Sequence, residues 1–144
     1  PRAPAPPPAN GRRHAAPPSR PAFAPRLRAP PSHADGFVVV TPECNRPLPA
    51  SLRQAVDHAP DAWRAGPVAS VSHGHGSRGL YAVEQLRSVF TELHAVSLRH
   101  GVGLNLLDDL FEPDRHRSVG PMLDELARRG LALRDVRAAR PYIS

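Results

Sequence analysis

Short apolar runs separate longer stretches with helical spacing from residue 35 onward. Residues 37–40 form a continuous, mostly β-branched run, which is typical of a strand buried on both faces of a parallel sheet. Residues 68–71 predict a second strand. Residues 95–98 predict a third, continued irregularly over 102–107.

Helical spacing fills the gaps between these runs. Residues 49–59 predict a short helix, and residues 80–93 predict the clearest helix of the chain. Ser118 is placed to cap a last helix, and Gly130 is placed to end it. The apolar stripe of the second helix comprises Leu80, Val83, Leu86, Val89, Phe90 and Leu93.

Strands and helices therefore alternate along the chain, which predicts an α/β fold with a doubly wound parallel sheet. Ligands of such sheets bind where the carboxyl ends of the strands meet. The candidate ligand-binding loops are therefore the one that follows residue 40 and the one that follows residue 71.

Composition separates residues 1–34 from the rest of the 144-residue chain. They hold 11 of the 19 prolines and 6 of the 19 arginines but no acidic residue, so the net charge of +6 belongs to them. So little apolar surface predicts a disordered tail, followed by a folded domain over residues 35–144. The arginines are scattered without interleaved aromatic residues, so a nucleic-acid partner is not expected.

The cysteine count and the lengths of the apolar runs exclude several classes of protein. One cysteine cannot form a disulfide framework within the chain or a cysteine-based zinc site. No apolar run approaches the roughly 18 residues of a membrane-spanning helix. We expect a soluble, cytoplasmic protein with no membrane association.

The second loop, residues 72–79, matches G-x-G-x-x-G between a strand and a helix. The acidic residue that would hold a ribose after the next strand is missing, since the chain there reads Arg99-His100-Gly101. His73 and His75 are spaced to face one way, but two imidazoles rarely suffice for a metal, and none is expected. A dinucleotide-binding Rossmann unit remains an alternative.

The first loop, residues 41–49, reads TPECNRPLP, and its prolines turn the backbone away from the sheet. Cys44 has no Cys/His or Ser/His/Asp arrangement around it in the sequence, so no catalytic residue is predicted. A turn of this kind leaves backbone N–H groups facing the cleft, which suits a planar heterocycle that forms hydrogen bonds.

The run GFVVVTPECN (36–45), followed by PASLRQAVD (49–57), resembles the NADPH-dependent FMN reductase family, which typically reads TPEYN. Residues 72–87 look like the family's second flavin loop and the helix behind it. The resemblance implies a flavodoxin-like fold and hydride transfer from NAD(P)H through FMN to a flavin, quinone or other small acceptor. The flavin-contacting residues that it implies are Pro42, Glu43, Cys44, Asn45, Ser72, His73, Gly74 and His75.

Several residues depart from the family pattern. Cys44 replaces an aromatic residue, Arg46-Pro47 stiffens the first loop, and His75 replaces a glycine. Residues 1–34 hold no GSxR-type loop for the FMN phosphate, so we expect a member that is truncated or divergent at its N-terminus and lacks the first strands. An inactive remnant or an interaction module with an anion-binding tail is the first alternative, ahead of the Rossmann unit, and a homo-oligomer stays open.

Overall fold

The computed structural model describes residues 34–105 and 118–141. The tail predicted over residues 1–34 lies outside this range except for Ala34, as do residues 106–107 of the predicted third strand. The elements are β1 (Phe37–Pro42), α1 (Ala50–Asp57), α2 (Pro60–Trp63), β2 (Pro67–Gly74), α3 (Leu80–Glu92), β3 (Val96–Ser97), β4 (Val102–Asn105) and α4 (Val119–Ala139).

The strands form one parallel sheet with β2 at its centre. β1 pairs along one side of β2, with Phe37 opposite Val68. β3 and β4 pair in turn along the other side, β3 near the start of β2 and β4 near its end. The predicted third strand is thus two short segments interrupted around Gly101, where an added Cβ would lie 2.7 Å from the Ser70 carbonyl oxygen.

Helices cover both faces of the sheet, so the predicted doubly wound α/β fold is confirmed. On one face α1 and α3 pack against the sheet, and on the other face α4 does. The first core comprises Val39, Val56, Trp63, Val68, Leu86, Val89 and Phe90. The second, smaller core comprises Ala69, Leu98, Val102 and Met122.

The prediction that β1 is buried on both faces was wrong. Val39 is buried in the first core, but the side chains on the opposite face of β1 are exposed: Val38 at 42% and Val40 at 64%. Met122 of α4 packs against Ala69 on β2, the neighbouring strand, and therefore leaves this part of β1 uncovered. Within the described residues, β1 is an edge strand.

The last helix was also predicted too short. α4 continues through Gly130 to Ala139, and the Ser118 side chain accepts no capping hydrogen bond from the first turn of the helix. Gly130 is buried where a Cβ would lie 3.0 Å from the Asp35 carbonyl oxygen, so this glycine permits close packing rather than ending the helix. Beyond it, Arg137 donates to the Ala65 carbonyl at 2.9 Å and anchors the end of α4.

The single-turn helix α2, which carries Trp63 into the first core, was not predicted from the sequence. The Trp63 indole lies between Phe37 and Phe90, with ring centroids 4.6 and 5.2 Å away, and its Nε1–H donates to the Val56 carbonyl at 3.0 Å. This aromatic cluster fixes the sheet below the two loops. No helix within residues 34–105 and 118–141 is long and apolar enough to cross a membrane.

Candidate functional site

The two loops singled out from the sequence meet at the carboxyl edge of the sheet. Pro42, the last residue of β1, is paired with His73 of β2. β2 runs further than predicted, because residues 72 and 73 pair with β1 on one side and residues 72–74 pair with β4 on the other. The second loop is therefore shorter than expected and begins after Gly74.

The first loop leaves the sheet through a backbone hydrogen bond and then turns sharply. Glu43 N–H donates to the His73 carbonyl at 2.8 Å, which extends the pairing of β1 with β2 by one residue. Cys44 N–H then donates to the Pro47 carbonyl at 3.0 Å. Asn45 and Arg46 adopt φ values of 52° and 84°, and Cys44 is exposed beside them.

The Glu43 carboxylate links the two loops. Its Oε1 accepts a hydrogen bond from the Ser77 hydroxyl at 2.7 Å, and its Oε2 accepts one from the Tyr81 backbone N–H at 3.1 Å. Tyr81 is in the first turn of α3, where backbone N–H groups lack helical partners and favour negative charge. Glu43 thus acts as a cap for α3 supplied by another loop.

Gly74 at the end of β2 and the two glycines of the second loop, Gly76 and Gly79, are needed for different structural reasons. A Cβ on Gly74 would lie 2.9 Å from Gly79 N, and one on Gly79 would lie 2.5 Å from the Ser72 Cβ, so the loop closes tightly on itself at these positions. Gly79 also has a φ of 82°. Gly76 has a φ of 72°, and a Cβ there would meet nothing within 4 Å.

Ser72 lies beneath the second loop rather than at its surface. The residue is 3% exposed, and its hydroxyl donates to the Arg78 carbonyl at 2.8 Å. Side chains alternate along a strand, and Val68 of β2 belongs to the core under α3, so Ser72 faces α3 as well. Its neighbour His73 faces the side of α4.

The eight predicted contact residues are thus brought to one edge, but they play unequal parts there. Cys44, Asn45 and His75 are exposed at the loop tips, and Pro42, Glu43 and His73 are half-buried between the loops. Gly74 and Ser72 are buried and support the loop from within. Among the residues that the structure describes, no three His, Cys, Asp or Glu side chains form a group that could hold a metal ion.

Three residues of this edge were missed from the sequence. Ser77 and Tyr81 hold the Glu43 carboxylate, and the Arg46 guanidinium lies 4.9 Å from the centre of the Tyr81 ring. The spacing of 34 to 38 residues between Glu43 and its partners carries no local pattern. Only the register between β1 and β2 brings them together.

Electrostatic tuning is seen in a different part of the molecule. A hydrogen bond from His100 lowers the pKa of Glu125, and Arg129 adds to this effect at 2.7 Å. These three residues link α4, which carries Glu125 and Arg129, to the loop between β3 and β4, which carries His100. It contributes to packing there and has no contact with the two loops.

Comparison with known proteins identifies a family that this chain matches. Residues 5–106 match the family model described as NADPH-dependent FMN reductase, a match that begins inside the predicted tail and includes both loops. An NAD(P)H-dependent FMN reductase of Schizosaccharomyces pombe is 45% identical over 56 residues, which are 39% of this chain. The aligned part spans only 28% of that relative's length.

Solved structures show the same fold. The flavoenzyme FerB of Paracoccus denitrificans, an NAD(P)H:(acceptor) oxidoreductase, has a TM-score of 0.60 at 16% identity, over 78% of this chain and 68% of its own. An oxidoreductase of Corynebacterium diphtheriae has a TM-score of 0.56 at 20% identity, over 76% of this chain and 58% of its own. At these identities the likeness confirms the flavodoxin-like fold alone.

Proposed function

Since the chain belongs to the NADPH-dependent FMN reductase family, we propose that it is an oxidoreductase that binds FMN at the carboxyl edge of its sheet. The family's cofactors are FMN and NAD(P)H, and the reducing equivalents would pass to a small acceptor such as a flavin or quinone. The observation that carries the proposal is the meeting of the two loops around Glu43 at this edge.

The residues at the edge fit the planar ring of a flavin. Gly76 faces open space, so the backbone of the second loop is accessible to a flat group. The exposed Asn45 amide offers both donors and an acceptor, as the pyrimidine side of a flavin requires. The bound FMN would supply the redox chemistry by accepting hydride from NAD(P)H and giving electrons to the acceptor.

The protein's own contribution would be placement. Glu43 would keep the two loops at a fixed separation, and the exposed Asn45 amide would orient the ring at the tip of the first loop. Cys44 provides less apolar cover than the aromatic residue typical of the family, so we expect weaker stacking on this side. No acid or base of the protein is needed for hydride transfer itself.

Two further properties belong to the same proposal. One is a cytoplasmic location, where the family's electron donor NAD(P)H is available. The exposed Val38 and Val40 support self-association, because β1 is at the edge of the sheet formed by residues 34–105 and offers backbone groups and apolar surface together.

The full chain should quench FMN fluorescence in a saturable titration and should oxidise NADPH in the presence of FMN and a quinone. Asn45→Ala should weaken FMN binding by about tenfold, since it removes hydrogen bonds to a polar ligand. Gln54→Ala, which removes an exposed amide on α1, is the matched control and should bind FMN as the parent does.

The outcomes separate the proposal from its alternatives. Folded protein that gives no quenching at micromolar FMN would refute the reductase and favour an inactive remnant or interaction module. Saturable NADH binding without any FMN binding would instead favour a dinucleotide-binding unit built on residues 74–79. Equal effects of both amide substitutions would place the flavin elsewhere.

A further inference from the structure

The Arg46 side chain extends from the tip of the first loop to the start of α3. Its guanidinium lies 4.9 Å from the centre of the Tyr81 ring, which is within the range of a cation–π contact. Tyr81 is the second residue of α3, and its side chain is 44% exposed. The arginine is therefore held at the carboxyl edge of the sheet, on the surface that the first loop and α3 share.

The ring contact leaves the hydrogen-bonding capacity of Arg46 unused. A guanidinium has five N–H donors, and those of Arg46 form no hydrogen bond or ion pair within residues 34–105 and 118–141. Arg53 of α1 differs, since its Nε donates to the Asp57 carboxylate at 2.8 Å. Arg46 is thus a positioned cation whose donors are available to a ligand.

The other charged residues of the two loops are already engaged. Glu43 is the acidic residue of the first loop, and its carboxylate binds the Ser77 hydroxyl and the Tyr81 N–H rather than Arg46. Arg78, the arginine of the second loop, already has an interaction partner. Arg46 is therefore the arginine of these loops whose charge no carboxylate compensates by contact.

The backbone of the first loop also fixes where Arg46 lies. Arg46 has a φ of 84° and follows Asn45, which has a φ of 52°. Residues other than glycine rarely adopt such angles, and they keep them where the surrounding structure holds them. The hydrogen bond from Cys44 N–H to the Pro47 carbonyl closes this turn. The turn and the ring together place the guanidinium before any ligand binds, which reduces the entropy lost on binding.

We propose that Arg46 binds the 2′-phosphate of NADPH and makes the chain prefer NADPH to NADH. The inference rests on the proposed function, since it names the residue that decides the choice of donor in that reaction. The two donors differ only in this phosphate, whose oxygens suit the paired N–H groups of an arginine. Dinucleotide sites of other folds accommodate the same phosphate with a nearby arginine.

Tyr81 acts through Arg46 as a positioning residue. Its ring lies beside the guanidinium and restricts the conformations of a long, exposed side chain that would otherwise lose more entropy on binding. The contact requires the aromatic ring and not the hydroxyl. The role of Tyr81 can therefore be separated from that of its backbone N–H, which binds Glu43.

Steady-state oxidation of NADPH and of NADH by the FMN-loaded full chain, with a quinone as acceptor, tests the proposal. Arg46→Ala should raise the KM for NADPH about tenfold relative to the KM for NADH, because a charge-assisted contact is lost, and kcat should change less than KM. Arg46→Lys keeps the charge without the fork and should give an intermediate ratio. Arg53→Ala removes an exposed arginine that is paired with Asp57, and this control should keep the parent's ratio.

Two substitutions of Tyr81 test the positioning role. Tyr81→Ala should raise the same ratio of KM values by about threefold, since Arg46 is no longer held by the ring. Tyr81→Phe keeps the ring and should behave as the parent does. An equal loss in both variants would contradict the role of the ring.

Nucleotide binding to the flavin-free full chain distinguishes this proposal from the proposed function. In calorimetric titrations, adenosine 2′,5′-bisphosphate should bind more tightly than adenosine 5′-monophosphate, and Arg46→Ala should remove the difference. That result in a chain without reductase activity would refute the reductase and retain the phosphate site. The proposal is overturned if the parent prefers neither NADPH nor the bisphosphate, or if Arg53→Ala changes the preference as much as Arg46→Ala.

Discussion

The two loops at the carboxyl edge of the sheet are built in opposite ways. The first loop is exposed from Cys44 to Pro47 and includes two non-glycine residues with positive φ. The second is folded tightly against the end of β2, since a Cβ on Gly74 would lie 2.9 Å from Gly79 N and one on Gly79 would lie 2.5 Å from the Ser72 Cβ. One loop therefore presents side chains, and the other provides a compact support.

This difference indicates that the two loops contribute differently to stability and to ligand binding. The shape of the second loop follows from contacts within the protein, which exist before any ligand binds. The first loop has few such contacts at its tip and depends on the Glu43 carboxylate for its connection to α3. Substitutions in the second loop should mainly change stability, and those at exposed tips should mainly change binding.

The largest effect is expected for Gly79→Ala. An added Cβ would lie 2.5 Å from the Ser72 Cβ, and φ at this position is 82°, so both crowding and backbone strain oppose the change. The free energy of unfolding should fall by about 3 kcal/mol. Urea denaturation followed by circular dichroism measures it.

Gly76→Ala is the matched control, because it shares the positive φ but meets no atom within 4 Å. Its cost should be about 1 kcal/mol, from strain alone. Equal losses for the two variants would mean that the second loop relaxes freely, which would contradict its role as a rigid support.

A smaller loss is expected for Glu43→Ala, which removes the link between the loops. The Ser77 hydroxyl and the Tyr81 N–H each lose an acceptor, and α3 loses the negative charge at its N-terminus. Stability should decrease by about 1–2 kcal/mol. Hydrogen exchange of the Tyr81 amide should accelerate in the same variant.

Glu92→Ala tests whether the position of the charge matters. Glu92 is exposed at the other end of α3, where a negative charge is unfavourable to the helix, so its removal should change stability by less than about 0.5 kcal/mol. If Glu43→Ala proves equally harmless, the carboxylate does not link the loops in solution.

Much of the fold could be predicted from the sequence because it rests on local periodicity. The apolar stripe of α3 correctly predicted a helix, and the β-branched run of β1 correctly predicted a strand. The end of α4 was not predicted correctly, because Gly130 permits close packing against Asp35, which is 95 residues away along the chain. The exposure of Val40 depends on where α4 crosses the sheet, which no run of residues encodes.

The position of the candidate site was predictable, but its internal organisation was not. Strand order alone brings Pro42 next to His73. The burial of Ser72, by contrast, depends on the extension of β2 past residue 71, where the predicted strand ended. This extension pairs with β4. The G-x-G-x-x-G spacing suggested close approach to a ligand, whereas Gly74 and Gly79 are explained by contacts inside the loop.

The smallest effect, and the one that tests binding rather than stability, is expected for His75→Gly. His75 is exposed next to Gly76, where the proposed flavin would approach the backbone, so removing its ring should tighten FMN binding by about threefold. Fluorescence quenching measures the affinity, and His94→Gly, at the far end of α3, should leave it unchanged. Because the side chain of His75 is not among the contacts that close the loop, stability should change little. Unchanged or weaker FMN binding in His75→Gly would mean that the ring does not approach this backbone, and that the exposed tip of the first loop alone contacts the ligand.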